Sequence, residues 1–208
     1  IVSRNIYTLR SFSGPHAQEL FGVSGWNGTI VPEAFYNSYD DNDIRKAQFL
    51  VGDQPGGVTY TAAVSNLDNP GANPFAGVRN QKFYPATPLD GGGASNDFPI
   101  YRYADFMLMK AECLVRLGNA ATAKPLVDAV RERAGLSALE SDPSLETIYN
   151  ERGFELNWEG HRRQDMIRFG TFLEANEFRG VSGEYRELFP IPTSALDANP
   201  NLVQNPGY

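Results

Sequence analysis

Near Pro99 the sequence changes character, and that change limits the folds open to this chain more than any other feature. Upstream, turn formers crowd FGVSGWNGTIVPEAFYNSYDDND (21–43), VGDQPGGV (51–58), LDNPGANPFAGV (67–78) and LDGGGASNDFP (89–99). Gly supplies positive φ, Pro fixes φ, and Asn and Asp bond their own backbone, so helices longer than a few turns are disfavoured there. GGVTYTAAV (56–64) is left as a strand segment suited to a hairpin. Downstream, apolar residues recur with helical period between well-placed stops.

The spacing predicts a first helix from about Tyr101 to Leu117, with Tyr103, Phe106, Lys110, Cys113 and Leu117 on one stripe and Met107, Ala111 and Leu114 beside it. Gly118 ends it as a left-handed cap. A second helix carries Leu126, Val127, Val130 and Ala134 and closes at Gly135. Pro125 would cost an intrahelical bond if Asn119 were the N-cap, so a start at Thr122 is favoured. Asp142 and Pro143 have the form of an N-cap and first helical residue, opening a third helix to about Glu159. Phe154 and Trp158 give it a second apolar line, which predicts a central position against more than one neighbour. HRRQDMIRFG (161–170) makes a short fourth helix with Met166, Ile167 and Phe169 inward, and the Pro-spaced tail from 188 runs extended over the helices.

Two short-loop helix pairs predict a mainly α fold of stacked, tetratricopeptide-like hairpins, preceded by a long irregular segment carrying short strands. The division falls at 1–99 and 100–208 within one structural unit. Two hairpins are few for a solenoid, so either the loop-rich half caps them or further repeats lie upstream.

With 208 residues and 41% hydrophobic content, the chain buries a sizeable core, roughly 70% of its unfolded surface, without disulfides or metals. A net charge of -7 argues against nucleic acid, whose binding needs clustered Lys and Arg. No apolar run approaches a membrane span. Cys113, in LMKAECLVRL, is expected as a small buried hydrophobe. His16 and His161 stand in no metal-ligand spacing, and no cofactor is expected. The opening IVSRNIYTLR shows no targeting leader, which fits either processing or a fragment.

ERGFELNWEGHRRQDMIRFG (151–170) places Glu151, Glu155 and Glu159 four apart, on one face of a helix. Glycosidase acids must confront each other across a cleft, roughly 5 to 9.5 Å apart, with one pKa raised. Arg152, Arg162, Arg163 and Arg168 instead surround these carboxylates in sequence, which would depress their pKa values, so scaffold ion pairs are the better reading. The acidic run Asp40 to Asp43 lacks the Gly and distal Glu of a calcium loop, which favours capping or a pair with Arg45. Gly91 to Gly93 lack the Lys-Ser or Lys-Thr of a phosphate loop and form a linker. No Gly-x-Ser-x-Gly elbow is present, and no catalytic residue is assigned.

Recognition then falls to aromatic residues of the irregular half. Trp26, a large ring among small polar neighbours, with Asn27 alongside to bond hydroxyls, suits a sugar face. Tyr36, Tyr39 and Tyr60 are further ligand-binding positions, each weighed against a role in anchoring its loop.

NDFPIYRYADFMLMKAECLVRLGNAATAKPLVDAVRERAGL (96–136), LETIYNERGFELNWEGHRRQDMIRFG (145–170) and FPIPTSALDANPNLVQNPGY (189–208) resemble, in order, the C-terminal region of SusD/RagB-family proteins. SGWNG (24–28) and YDDNDIRKAQFLVG (39–52) resemble the family's middle segment. The resemblance implies a surface-exposed outer-membrane lipoprotein of Bacteroidetes that captures glycans and passes them to a SusC-like TonB-dependent transporter. It implies also that the lipidated cysteine, signal peptide and first helical repeats precede this chain, so that membrane attachment is through an anchor outside it, and that the 151–170 block is structural. Gly153 departs from the family, which more often has a long basic residue there. Rival readings are a helical-repeat module binding protein or peptide within the same complex, and a carbohydrate-active enzyme using a loop acid pair.

Overall fold

The computed structural model describes residues 7–64, 73–86, 89 and 93–208, which form two compact units, 1–159 and 160–208. The packing boundary thus falls after Glu159, not at the compositional change near Pro99. Loops and helices on either side of Pro99 share one core.

In the first unit the loop-rich half holds short elements, as its turn formers dictate: α1 (Tyr7–Ser11), α2 (Gly14–Phe21), α3 (Glu33–Asn37), β1 (Phe49–Leu50), β2 (Gly52–Gln54), β3 (Val58–Tyr60) and β4 (Arg79–Asn80). β2 and β3 make the expected hairpin, with Gly52 opposite Tyr60, and β1 pairs antiparallel with β4. Val31, Tyr39, Phe49 and Val78 are buried together, and Phe154 packs on them from the helical half. That shared cluster explains why the chain does not divide at residue 99.

The helical half of this unit is α4 (Tyr103–Arg116), α5 (Ala120–Arg133) and α6 (Leu145–Glu155). Gly118 and Gly135 both take φ of 80°, the left-handed stops that the sequence predicts. α6 packs against both α4 and α5, as its two apolar lines require. Three details differ from expectation. α5 takes Asn119 as its N-cap and keeps Pro125 inside, and its Ala-rich first turn buries Ala123 completely. α6 is capped by Ser144, whose hydroxyl accepts from Thr147 N–H at 3.1 Å while Thr147 Oγ1 accepts from Ser144 N–H, a reciprocal box two residues beyond Asp142. α6 also ends at Glu155, after which Trp158 adopts φ of 65°.

The stripe assigned to α4 faces outward. Ala104, Leu108 and Ala111 form its buried side, whereas Tyr103 is 80% exposed and Phe106, Cys113 and Leu117 are exposed with it. Cys113 is therefore not a core residue. Periodicity located the helix, but apolar residues on both flanks left its inward face undetermined.

The second unit contains α7 (Arg162–Arg168) and α8 (Thr193–Ala198). Met166, Ile167 and Phe169 are only half-buried, and the fully buried residue of α7 is Asp165, paired with Arg168 at 3.0 Å. Arg163 lies over the rings of Phe172 and Phe189 and donates to the carbonyls of Arg186 and Glu187. Pro-spaced tails cannot form a ladder, and here side-chain amides satisfy the backbone instead. Gln204 bonds both the N–H and the C=O of Ile191, and Asn205 donates to Phe189 O at 2.7 Å. Among the described residues no helix is long and apolar enough to cross a membrane.

Candidate functional site

Glu151, Glu155 and Glu159 are buried, and each is met by cations. Glu151 accepts from Arg45 at 2.7 Å and Arg131 at 3.4 Å. Glu155 is held by Arg133 at 2.5 Å, Arg102 at 2.9 Å and Arg45 at 3.2 Å. Glu159 pairs with Lys82 at 2.6 Å and Arg102 at 2.7 Å. Burial alone would raise the Glu159 pKa, but hydrogen bonds from Arg102 and Lys82 and their charges outweigh it and lower it. A general acid needs the opposite shift.

The pairing logic held, but the partners differ from those adjacent in sequence. Arg152 points the other way, to Asp105 at 2.8 Å, and Arg163 and Arg168 serve the second unit. Residues next to a helical carboxylate in sequence face elsewhere, so its partners come from other elements. Lys82 and Arg102 also cap α6: Lys82 donates to the carbonyls of Glu155 and Asn157, and Arg102 to that of Glu155. These bonds stop the helix four residues before the sequence suggests and turn Glu159 back into the cluster. In the acidic run, Asp43 caps the 3-10 turn Ile44–Gln48 and binds Arg45 through both oxygens, Asp41 pairs with Lys46 at 2.6 Å, and Asp40 accepts from Asn42. Of the Gly91 to Gly93 linker, Gly91 and Gly92 lie outside the described residues.

Trp26 is 57% exposed on a loop that is locked from behind. The N–H groups of Trp26, Asn27 and Gly28 donate to the carbonyls of Leu9, Phe12 and Arg10 at 2.7 to 2.9 Å. Gly25 permits that approach, since a Cβ there would sit 2.2 Å from Phe12 O. Asn27 holds φ of 50°, donates its amide to Pro74 O at 2.7 Å and accepts from the buried Arg79 at 2.8 Å. One N–H and the carbonyl oxygen of its amide are thus engaged within the loop. Arg10, exposed beside it, lies 5.2 Å from the Trp26 ring centre.

The three tyrosines anchor structure. Tyr60 is 1% exposed, with its hydroxyl bonded to Ser13 and His16 and the Arg79 guanidinium 4.6 Å from its ring. Tyr39 is 3% exposed and donates to Phe154 O at 3.0 Å, and burial raises its phenol pKa. Tyr36 is half-buried, edge-on to Phe49 with Lys46 over its ring. Neither Tyr39 nor Tyr60 has a ring face that a ligand can reach, and ring size in a polar loop could not distinguish them from Trp26. The ring that sequence reasoning passed over is Tyr84, 49% exposed and braced edge-on by Phe21 at 5.4 Å. It lines a cavity of about 440 Å³ with Gln81, Lys82, Arg102 and Arg133.

The sequence profile of the SusD family matches residues 23–184 and 172–208. This chain belongs to the SusD family. Among SusD relatives, it is 31% identical over 208 residues to SusD-like protein P25 of Formosa agariphila, covering 88% of this chain and 36% of that protein. The solved surface glycan-binding protein A from Bacteroides uniformis superposes with a TM-score of 0.76 at 22% identity, over 98% of this chain and 47% of that one. A laminarin-binding SusD-like protein superposes with a TM-score of 0.69 at 31% identity, over 97% and 44%. This SusD-family chain therefore spans between a third and a half of the length of these three relatives, and the likeness to the solved SusD-type structures establishes the mainly α fold read from periodicity.

Proposed function

We propose that this chain contributes to a non-catalytic glycan-binding protein displayed at the bacterial surface, which captures oligo- or polysaccharides and delivers them to a SusC-like TonB-dependent transporter. One observation carries the binding half of this reading: a tryptophan ring held in solvent by a pre-ordered loop, with a guanidinium beside it. Such a loop has its ordering cost met before the ligand arrives. The pairing of Glu151, Glu155 and Glu159 with arginines and lysine supports a non-hydrolytic capture. Family membership supports the nutrient-uptake context, surface location and transporter partner.

If the Trp26 ring loses ~100 Å² of apolar surface to a sugar, burial contributes ~2.5 kcal/mol at ~25 cal/mol/Å². With hydrogen bonds added and ordering costs subtracted, Kd falls in the range of roughly 1 mM to 10 μM, weak enough for hand-over. The test is electrophoresis through gels containing different polysaccharides, with reducing-sugar release measured in parallel. Retardation without release is expected; release of sugar would make the chain an enzyme, and neither signal would remove glycans as its ligand.

A further inference from the structure

We propose that the cavity beside Tyr84 accepts an anionic sugar residue of the glycan, a uronate or a sulfated unit. This inference deepens the glycan-binding reading and rests on it. The cavity's volume of about 440 Å³ lies within the usual span of small-ligand sites. Its walls carry the cations Arg45, Lys82, Arg102 and Arg133 against a single carboxylate, Glu155, in a chain whose net charge is -7. The wider cluster has the same imbalance: Asp43, Glu151, Glu155 and Glu159 are paired with Arg45, Lys82, Arg102, Arg131 and Arg133, one cation more than the acids require.

Exposure decides where the surplus charge acts. The Arg45 side chain is 9% exposed and is committed to Asp43, Glu151 and Glu155. Lys82 spends its ammonium on Glu159 and two carbonyls. Arg133 binds Glu155 through Nη2 while 58% of its side chain stands in solvent, so a second anion can approach the same guanidinium. A planar guanidinium suits a carboxylate or sulfate, whose oxygens take two parallel N–H bonds. Tyr84 offers an apolar ring for the sugar's C–H face, and the Gln81 amide, donating to Ala47 O, leaves its carbonyl to accept a hydroxyl. Charge, ring and amide thus converge on one cavity, whereas Trp26 lines no part of it.

The experiment compares the 208-residue chain on polygalacturonate, a sulfated galactan and a neutral β-glucan by gel retardation and calorimetry. At low ionic strength the acidic polymers should bind roughly tenfold more tightly than the neutral one, and most of that advantage should vanish at 1 M salt, where screening acts within ~3 Å. Polygalacturonate and sulfated galactan separate the two sources of the anion. Arg133→Gln should erase the acidic preference while neutral binding persists. Tyr84→Ala, which leaves every ion pair in place, should weaken acidic binding several-fold with unchanged circular dichroism. Neutral binding with no acidic preference, or an acidic preference indifferent to both substitutions, overturns this inference and leaves the glycan reading standing. Binding to no polymer overturns both.

Discussion

Arg45 Nη1 and Glu155 Oε2 lie 3.2 Å apart although 110 positions separate them in the chain. This bond joins the irregular half to α6 and places a loop arginine at the centre of the carboxylate cluster. Arg45 binds Glu151 and Asp43 as well, so each acid shares its cations with another. Glu155→Ala removes a buried carboxylate that three guanidinium groups share, leaving Arg45 with Asp43 and Glu151 and Arg102 with Glu159 but a larger surplus of positive charge in the cluster, and should cost about 3–5 kcal/mol. Arg133→Gln removes the exposed partner and should cost under about 1 kcal/mol. Urea unfolding of both variants checks the contrast, and equal losses would show that the cluster is not organised around Glu155.

Gly25 is required by closeness of approach. An added Cβ would meet Phe12 O at 2.2 Å and Ser13 O at 2.6 Å, both rigid backbone atoms. Gly25→Ala should push the 24–28 loop off its three carbonyl partners, lower stability by about 1–3 kcal/mol and weaken glycan retardation. Thermal melts and affinity gels read the two effects, and an unchanged melt would mean that the loop is free to shift.

His16 is 1% exposed, stacked on Phe12 at 4.3 Å and bonded to Tyr60, and burial lowers its pKa. The unfolded chain therefore takes up this proton first. The stability contributed by neutral His16 is fully present above pH ~6.5 and is lost as the pH falls through the depressed native value. Denaturant titrations from pH 7.5 to 5 should show wild type losing more stability than His16→Gln over that interval. Parallel curves would remove His16 as the source of the pH dependence.

The start of α6 separates two residues with equally good N-cap chemistry. Ser144→Ala removes the hydroxyl that accepts from Thr147 N–H, leaves the backbone half of the box in place, and should cost about 0.5–2 kcal/mol, while Asp142→Ala should be near neutral. Equilibrium unfolding of the two variants distinguishes them, and a larger loss at Asp142 would contradict the observed cap.

Periodicity located α4, α5 and α6, and glycine stops fixed the ends of α4 and α5, because a left-handed residue after an apolar stripe has few alternatives. The inward face of α4 was not legible. Tyr103, Phe106 and Leu117 look like a core stripe, yet Leu108 and Ala111 occupy the interior, and hydropathy alone could not choose between the two faces. Within the site, Trp26 was legible as a large ring among residues too small to bury it. The bonds of the Asn27 amide were not legible, since its partners, Pro74 and Arg79, are distant in sequence. Arg45 and Arg133 could not be assigned to Glu155 for the same reason, and Tyr84 carries no local signal that marks it as a cavity wall.

The central claim is that shape and recognition are separated: carboxylates hold the scaffold, and an exposed ring meets the sugar. Trp26→Ala tests it most directly, by affinity-gel retardation on the polysaccharide that binds wild type best, beside far-ultraviolet circular dichroism. Loss of ~2.5 kcal/mol of ring burial predicts binding roughly 10- to 100-fold weaker with an unaltered helical spectrum. Undiminished retardation by the alanine variant would contradict the account.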